Sequence, residues 1–195
     1  LLDSLAVELR FYSSVNSIDG AFWKLDNSNR YPFIKHGSLS ALENAGDNAA
    51  EEITQQSELQ VYGQQKHCVV ACNQQTGWNP YHAVVFEKNK PIAFIPNYIK
   101  SHSYGEYIFD WAWANAYGQH GLNYYPKLLN AIPFTPVSGP RILTQQGIDI
   151  AKVLTLLADK IKSECAQNNF SSFHSLYLPE QKSIELADNG FIQRH

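Results

Sequence analysis

Residues 81–100, YHAVVFEKNKPIAFIPNYIK, constrain the fold most. Two apolar runs rich in branched and aromatic side chains flank Glu87–Lys90, with Asn89 placed for a turn, the pattern of a β-hairpin. A loop this short joins antiparallel strands, because a parallel pair needs a crossover of a dozen residues or more. The middle of the chain is therefore committed to an antiparallel sheet. Upstream, VELRFYSSV alternates apolar and polar residues and reads as a first strand. SIDGAFWKLD reads as a helix with Ser17 as N-cap and Ile18, Phe22 and Leu25 on one face. YPFIKHGSLSALENAG reads as a second helix that Gly46 stops.

Downstream, KPIAFIPNYIK reads as one strand, and a short helix is expected near YPKLLNAI. PFTPVSGPRIL reads as a strand whose start the prolines make irregular. GIDIAKVLTLLADKIKSECAQNN is the clearest helix, with Ile148, Val153, Leu156, Leu157, Ile161 and Cys165 at helical spacing. FSSFHSLYLP then reads as a strand, EQKSIELADNG as a helix closed by Gly190, and FIQRH as the start of a further strand. The expected class is α+β to α/β: one mixed, largely antiparallel sheet with helices on both faces. Residues 1–195 form a single domain, with a flexible insertion at about 47–78 and an aromatic-rich insertion at about 101–131.

Composition narrows the function classes. Charged residues are only 17% of the 195 and aromatics 13%, which argues against disorder and for a surface partly covered by another domain or subunit. The 15 Lys and Arg are scattered, so no dedicated surface for duplex nucleic acid is expected. No apolar run reaches 18 residues, so no transmembrane segment is expected. The opening LLDSLAVELRFY lacks the basic flank and apolar stretch of a signal peptide, and starts without Met, as a chain beginning inside a longer gene product would. Three cysteines, an odd number, fit a reducing cytoplasm better than a disulfide framework. His67, Cys68 and Cys72 lack a fourth zinc ligand nearby, so no metal is expected.

The closing stretch HSLYLPEQKSIELADNGFIQRH resembles the last strand–helix–strand unit of GNAT acyltransferases. PFTPVSGPRILTQQGIDIAKVLTLLADKIK is similar to the Gly-Pro strand-to-helix passage of Fem-type aminoacyl transferases. More narrowly, YPFIKHGSLSALENAG, TGWNPYHAVVF, KSHSYGEYIFDWAWANAY, YYPKLL and PFTPVSGPRIL together resemble the FemAB-like family of bacterial proteins. The resemblance implies a GNAT-like fold and acyl or aminoacyl transfer to an amine-bearing acceptor, such as a peptidoglycan precursor or small peptide. It implies acetyl-CoA or aminoacyl-tRNA as donor, with no other cofactor. It also implies a C-terminal GNAT-like half, since family members are about twice this long. The glycine-rich acetyl-CoA turn of ordinary GNAT enzymes is missing; the matching turn, TQQGIDIAK, has only Gly147. Gly147 is nonetheless the cofactor-binding candidate, because the following helix N-terminus can accept a phosphate.

Such transfer needs a base for the amine proton, donors for the oxyanion and a site that excludes water. Glu106 and Asp110 are the candidate catalytic bases; on an alternating strand both point to one face with Ile108. The alternative is that Glu106 caps a turn while Asp110 bonds a backbone N–H or an indole. His102 is a candidate donor to a substrate carboxylate or phosphate, or an ordinary loop histidine. Lys100 and Arg141 are candidate anion holders, or partners in surface ion pairs. Tyr104, Trp111, Trp113, Tyr117, Tyr124 and Tyr125 supply either a platform for a sugar, peptide or adenine, or core packing. The expectation is a ring-lined cleft with Trp111 buried beneath it and the two acids facing in. Two other readings stand beside the catalytic one. The chain is a recognition module whose missing half supplies the chemistry, or an interaction domain whose aromatic face is covered by a second copy in a homodimer.

Overall fold

The structure, a computed structural model, describes residues 7–24, 31–55, 72–74 and 76–194. The expected hairpin is present: β3 (His82–Glu87) and β4 (Lys90–Ile95) pair antiparallel. Lys88 and Asn89 both take left-handed backbone, with φ of 51° and 61°, as a two-residue turn that follows the strands' twist requires. β1 (Val7–Tyr12) pairs with β3, and β7 (Leu143–Thr144) with β4. The first sheet thus runs β1-β3-β4-β7 and is antiparallel throughout.

Alternation on β3 and β4 feeds two cores. Ala83, Val85, Ala93 and Ile95 face Val153, Leu157 and Ile161 of α4 (Ile150–Asn168). Val84, Phe86 and Phe94 face Phe22 of α1 (Gly20–Lys24) and Leu39 of α2 (His36–Gln55). Both faces of the hairpin are buried, which is why it reads as near-continuous apolar sequence. Leu156 and Cys165 of α4 lie half-buried beside that core as expected, as does Ile148 just before the helix.

The fold is α+β, but its strands form two sheets where one was expected. KPIAFIPNYIK does not continue as a single strand: Pro96 interrupts it between β4 and β5 (Asn97–Lys100). Proline has no N–H for a ladder, and across the break Tyr81 N–H reaches Asn97 O at 2.8 Å. The second sheet runs β2-β5-β6-β8, adding β2 (Asn79–Pro80), β6 (Lys127–Asn130) and β8 (Phe173–Ser175), with β6 and β8 parallel. Buried Asn130 ties the sheets together. Its amide donates to Pro96 O at 2.8 Å and Arg141 O at 3.1 Å, and its carbonyl accepts from Ser175 Oγ at 2.7 Å.

Other boundaries move for identifiable reasons. YPKLLNAI forms strand β6, not a helix, and all four strand residues are buried; a short apolar run does not distinguish the two by period alone. The helix of that region is α3 (Trp111–Gln119). α2 runs through Gly46 to Gln55, so part of the expected 47–78 insertion is helical. Residues 56–71 of that expectation, with His67 and Cys68, and residue 75 lie outside the described residues. Cys72 is buried, and its N–H donates to Leu42 O at 3.0 Å, which ties the returning chain to α2. Of PFTPVSGPRIL only the last residue, Leu143, enters a ladder, as the start of β7. Ser17 ends a short 3-10 turn (Val15–Ser17) that Ser14 caps, and the α-helix starts at Gly20. α5 (Glu180–Asp188) ends before Gly190 at φ +88°, but residues 191–194 form no strand.

Replacing Asn130 with Ala strands two buried carbonyls and one hydroxyl. The expected loss, read by urea denaturation, is at least about 2 kcal/mol, well above the effect of an exposed Asn115→Ala control.

Candidate functional site

Strands β5 and β6 bring two lysines face to face: Lys100 lies directly opposite Lys127 in the antiparallel register. Both are fully buried. Like charges opposite each other in a sheet repel, and a buried ammonium needs a partner. The segment between the strands supplies two carboxylates. Lys127 Nζ donates to Glu106 Oε2 at 2.8 Å and makes a closer contact with Asp110 Oδ2. Lys100 Nζ donates to Tyr104 O at 3.0 Å and lies 4.2 Å from the centre of the Trp78 ring. Two ammonium and two carboxylate groups thus balance inside one buried cluster.

The segment is arranged around that cluster. Gly105 turns at φ +78°, where a Cβ would meet Trp78 and Phe134 at 2.9 Å; this close approach puts Glu106 under the sheet. Tyr177 Oη donates to Glu106 O at 3.0 Å. Asp110 is also the N-cap residue of α3, although its side chain makes no cap bond and is directed to Lys127 instead. The rings of Tyr124 and Tyr125 each have their centre 5.7 Å from Lys127 Nζ, and the Tyr124 hydroxyl bonds Asp110. His174, on β8, packs edge-on to Tyr124 and bonds Ser172 Oγ at 3.0 Å.

Burial sets the electrostatics. It raises the Glu106 carboxyl above its ordinary range, opposed by the charge and hydrogen bond of Lys127. One carboxylate oxygen of Glu106, Oε1, is buried with no hydrogen-bond partner. Burial also lowers Lys100 to about 8, assisted by Lys127 and opposed by Glu106. His174 is pushed down to about 4, first by burial and then by the charge of Lys127. A second buried pair lies apart, where Glu43 accepts from Ser14 Oγ at 2.7 Å and from His82 Nε2 at 2.8 Å. Since His82 Nδ1 accepts the Asn97 N–H, Nε2 carries the ring proton, and this pair clamps α2 onto β3.

The expected site residues fall into three groups. Glu106 and Asp110 do converge, but from a loop and not a strand, and Ile108 between them is exposed. They are 2% and 6% exposed and turn to Lys127, not to the mouth of a cleft. The sequence alone does not single out Lys127, the group that gathers them, because YPKLLNAI reads as a helix there. Its signal was a lone lysine opening a buried apolar run. Tyr124 and Lys100 belong to the same cluster, and half-buried Tyr117 packs edge-on to Tyr124.

The second group stands outside the cluster. Trp111 is 57% exposed, against the expectation that it is buried. It stays on the surface because Asp110, one residue earlier, is drawn inward. Trp113, Tyr104, Phe109 and Tyr107 are also exposed, and α3 has no buried residue. His102 is half-buried, accepts the Tyr104 N–H at 3.3 Å and packs over Gly77.

The third group makes no bond to either. Arg141 is buried and its guanidinium donates to Leu176 O, Val137 O and Pro140 O; it holds its own chain's carbonyls where an anion was expected. Gly147, at φ +82°, borders a cleft of about 200 Å³ with Glu87, Asp149 and Lys152 among its walls. Asp149 already takes the Ala151 N–H at the start of α4.

Two outcomes check this electrostatic picture. Lys127→Met leaves two buried carboxylates unpaired and is expected to cost about 3–5 kcal/mol, part of which Glu106→Gln with Asp110→Asn restores, both read by denaturant unfolding. His174 binds its proton less readily folded than unfolded, so between pH 6.5 and about 4 the unfolded chain holds more protons. Wild type is therefore expected to lose stability relative to His174→Gln as pH falls through that window, seen as a narrowing gap in melting temperature.

Comparison with known proteins places this geometry in a family. No curated protein matches the chain. The model of the FemAB-like family, described as peptidoglycan biosynthesis/recognition, matches residues 14–195. That match takes in the second sheet, every strand of the first but β1, the buried four-charge cluster and α3, and the chain belongs to the FemAB-like family, with a role related to the cell wall through peptidoglycan.

Proposed function

We propose that the chain is the acceptor-recognising, GNAT-like half of an acyl or aminoacyl transferase whose acceptor is an amine-bearing peptidoglycan precursor. The observation that carries this reading is the division within residues 101–126. The acids are buried on Lys127 while the rings of Tyr104, Tyr107, Phe109, Trp111 and Trp113 face solvent. A general base must lie within hydrogen-bond reach of the amine whose proton it takes. Asp110, held by Lys127 and Tyr124, is placed to support α3, and the exposed rings are placed to meet the acceptor. The capped start of α4 and its single glycine favour a donor site, for acetyl-CoA or aminoacyl-tRNA, in a C-terminal half.

One observation favours the catalytic reading of the same residues. Glu106 Oε1 has no partner, and burial raises its carboxyl toward the range of a working base. The two readings part in one experiment. Calorimetric titration of this chain with a soluble wall-peptide precursor and, separately, with acetyl-CoA is expected to show binding of the precursor alone. Binding of acetyl-CoA alone contradicts the recognition reading. In a longer protein that contains both halves, Glu106→Gln is expected to slow transfer only as far as it weakens precursor binding. A loss of kcat at unchanged KM makes Glu106 the base.

A further inference from the structure

The exposed side of α3 carries a pattern that the recognition reading does not by itself require. Trp111, Asn115 and Gln119 occur at intervals of four and are all exposed. On a helix such residues form one ridge, with neighbours about 5–6 Å apart. Phe109 extends the ridge at its start, its ring centre 5.0 Å from that of Trp111 at an interplanar angle of 38°. The ridge is an aromatic platform followed by two amides, one per helical turn.

Its charge is as informative as its shape. Between Tyr107 and Asn123 the only Asp, Glu, Lys or Arg is Asp110, which is buried on Lys127. Arg194 lies 4.2 Å from the Trp113 ring centre, and Trp113 is two residues from Trp111 and so on the other flank of the helix. A phosphate or carboxylate finds no ammonium on this ridge, and an amine finds no carboxylate. A neutral partner with flat C–H faces and a rim of hydroxyl or amide groups matches it: the C–H face covers an indole, and the rim exchanges hydrogen bonds with Asn115 and Gln119. The platform is also fixed beforehand, because the residue preceding Trp111 is anchored in the buried cluster, which lowers the ordering cost of binding.

We propose that the Phe109–Trp111–Asn115–Gln119 ridge of α3 is a saccharide-binding site that stacks a neutral N-acetylated pyranose, leaving the charged peptide of the acceptor to other parts of the protein. This rests on the reading of the chain as a peptidoglycan-precursor recognition half, and narrows it to the sugar.

The test titrates the chain with a neutral β-1,4-linked N-acetylglucosamine tetramer and, separately, with a free wall stem peptide, reading tryptophan fluorescence and saturation-transfer NMR. Transfer to the sugar ring protons is expected, together with a weakening of about tenfold in Trp111→Ala. A smaller weakening is expected in Asn115→Ala, with melting temperatures close to wild type in both variants. No transfer to the tetramer, with the stem peptide bound equally by wild type and Trp111→Ala, overturns the saccharide site and leaves the recognition reading standing. No binding of either probe overturns both. A dimer in light scattering that Trp111→Ala dissociates assigns the ridge to self-association and also overturns the proposal.

Discussion

The register that sets Lys100 opposite Lys127 is the constraint on which the rest depends. Two ammonium groups facing each other in a buried sheet cannot stay unpaired, because removing even one ion from water costs several kcal/mol. The chain answers by returning Glu106 and Asp110 into the sheet from a segment that has little other reason to lie there. α3 buries no side chain of its own. Its position is inherited from Asp110, its first-turn neighbour, and from Tyr124 and Tyr125 at its far end, which gather around the same ammonium.

The split between the sheets serves the same arrangement. Pro96 ends the β4 ladder, so β5 can turn its Tyr98 and Lys100 face toward Trp78 and the aromatic segment. Asn130 closes the gap from the other side by bonding Pro96 O at the break and Arg141 O ahead of β7. The apolar hairpin and α4 make a conventional core; the second sheet is polar inside, and that interior decides where the aromatic rings go. Rings over a buried charge cluster are left on the surface.

Much of this was legible in the sequence. The hairpin, α4 and α5 follow from period and turn chemistry, and the family resemblance from the motifs between Lys100 and Leu143. The convergence of Glu106 and Asp110 was also foreseen, though for the wrong reason. Strand alternation would have put Ile108 with them, yet Ile108 is exposed while both acids are buried. What the sequence hid was the partner. Lys127 stands at the edge of KLLN, whose four apolar and polar residues are all buried; a strand buried on both faces has no alternation to reveal it. Reading it as a helix removed the Lys100–Lys127 pair from view. With that pair went the reason for the acids' burial and for the exposure of Trp111. Arg141 was misplaced similarly: a guanidinium after a Gly-Pro step resembles an anion site, but its fork is filled by three carbonyls of its own chain.

The most direct measurement is amide hydrogen exchange across the chain in wild type and in Lys127→Met, under conditions where both remain folded. If the buried ammonium is what fixes the segment, the amides of residues 111–119 exchange far faster in the variant while those of β3, β4 and α4 keep their protection. If α3 keeps its wild-type protection without Lys127, or if the whole chain loosens together, the segment is held by something other than the charge cluster and the link between the buried acids and the exposed rings is broken.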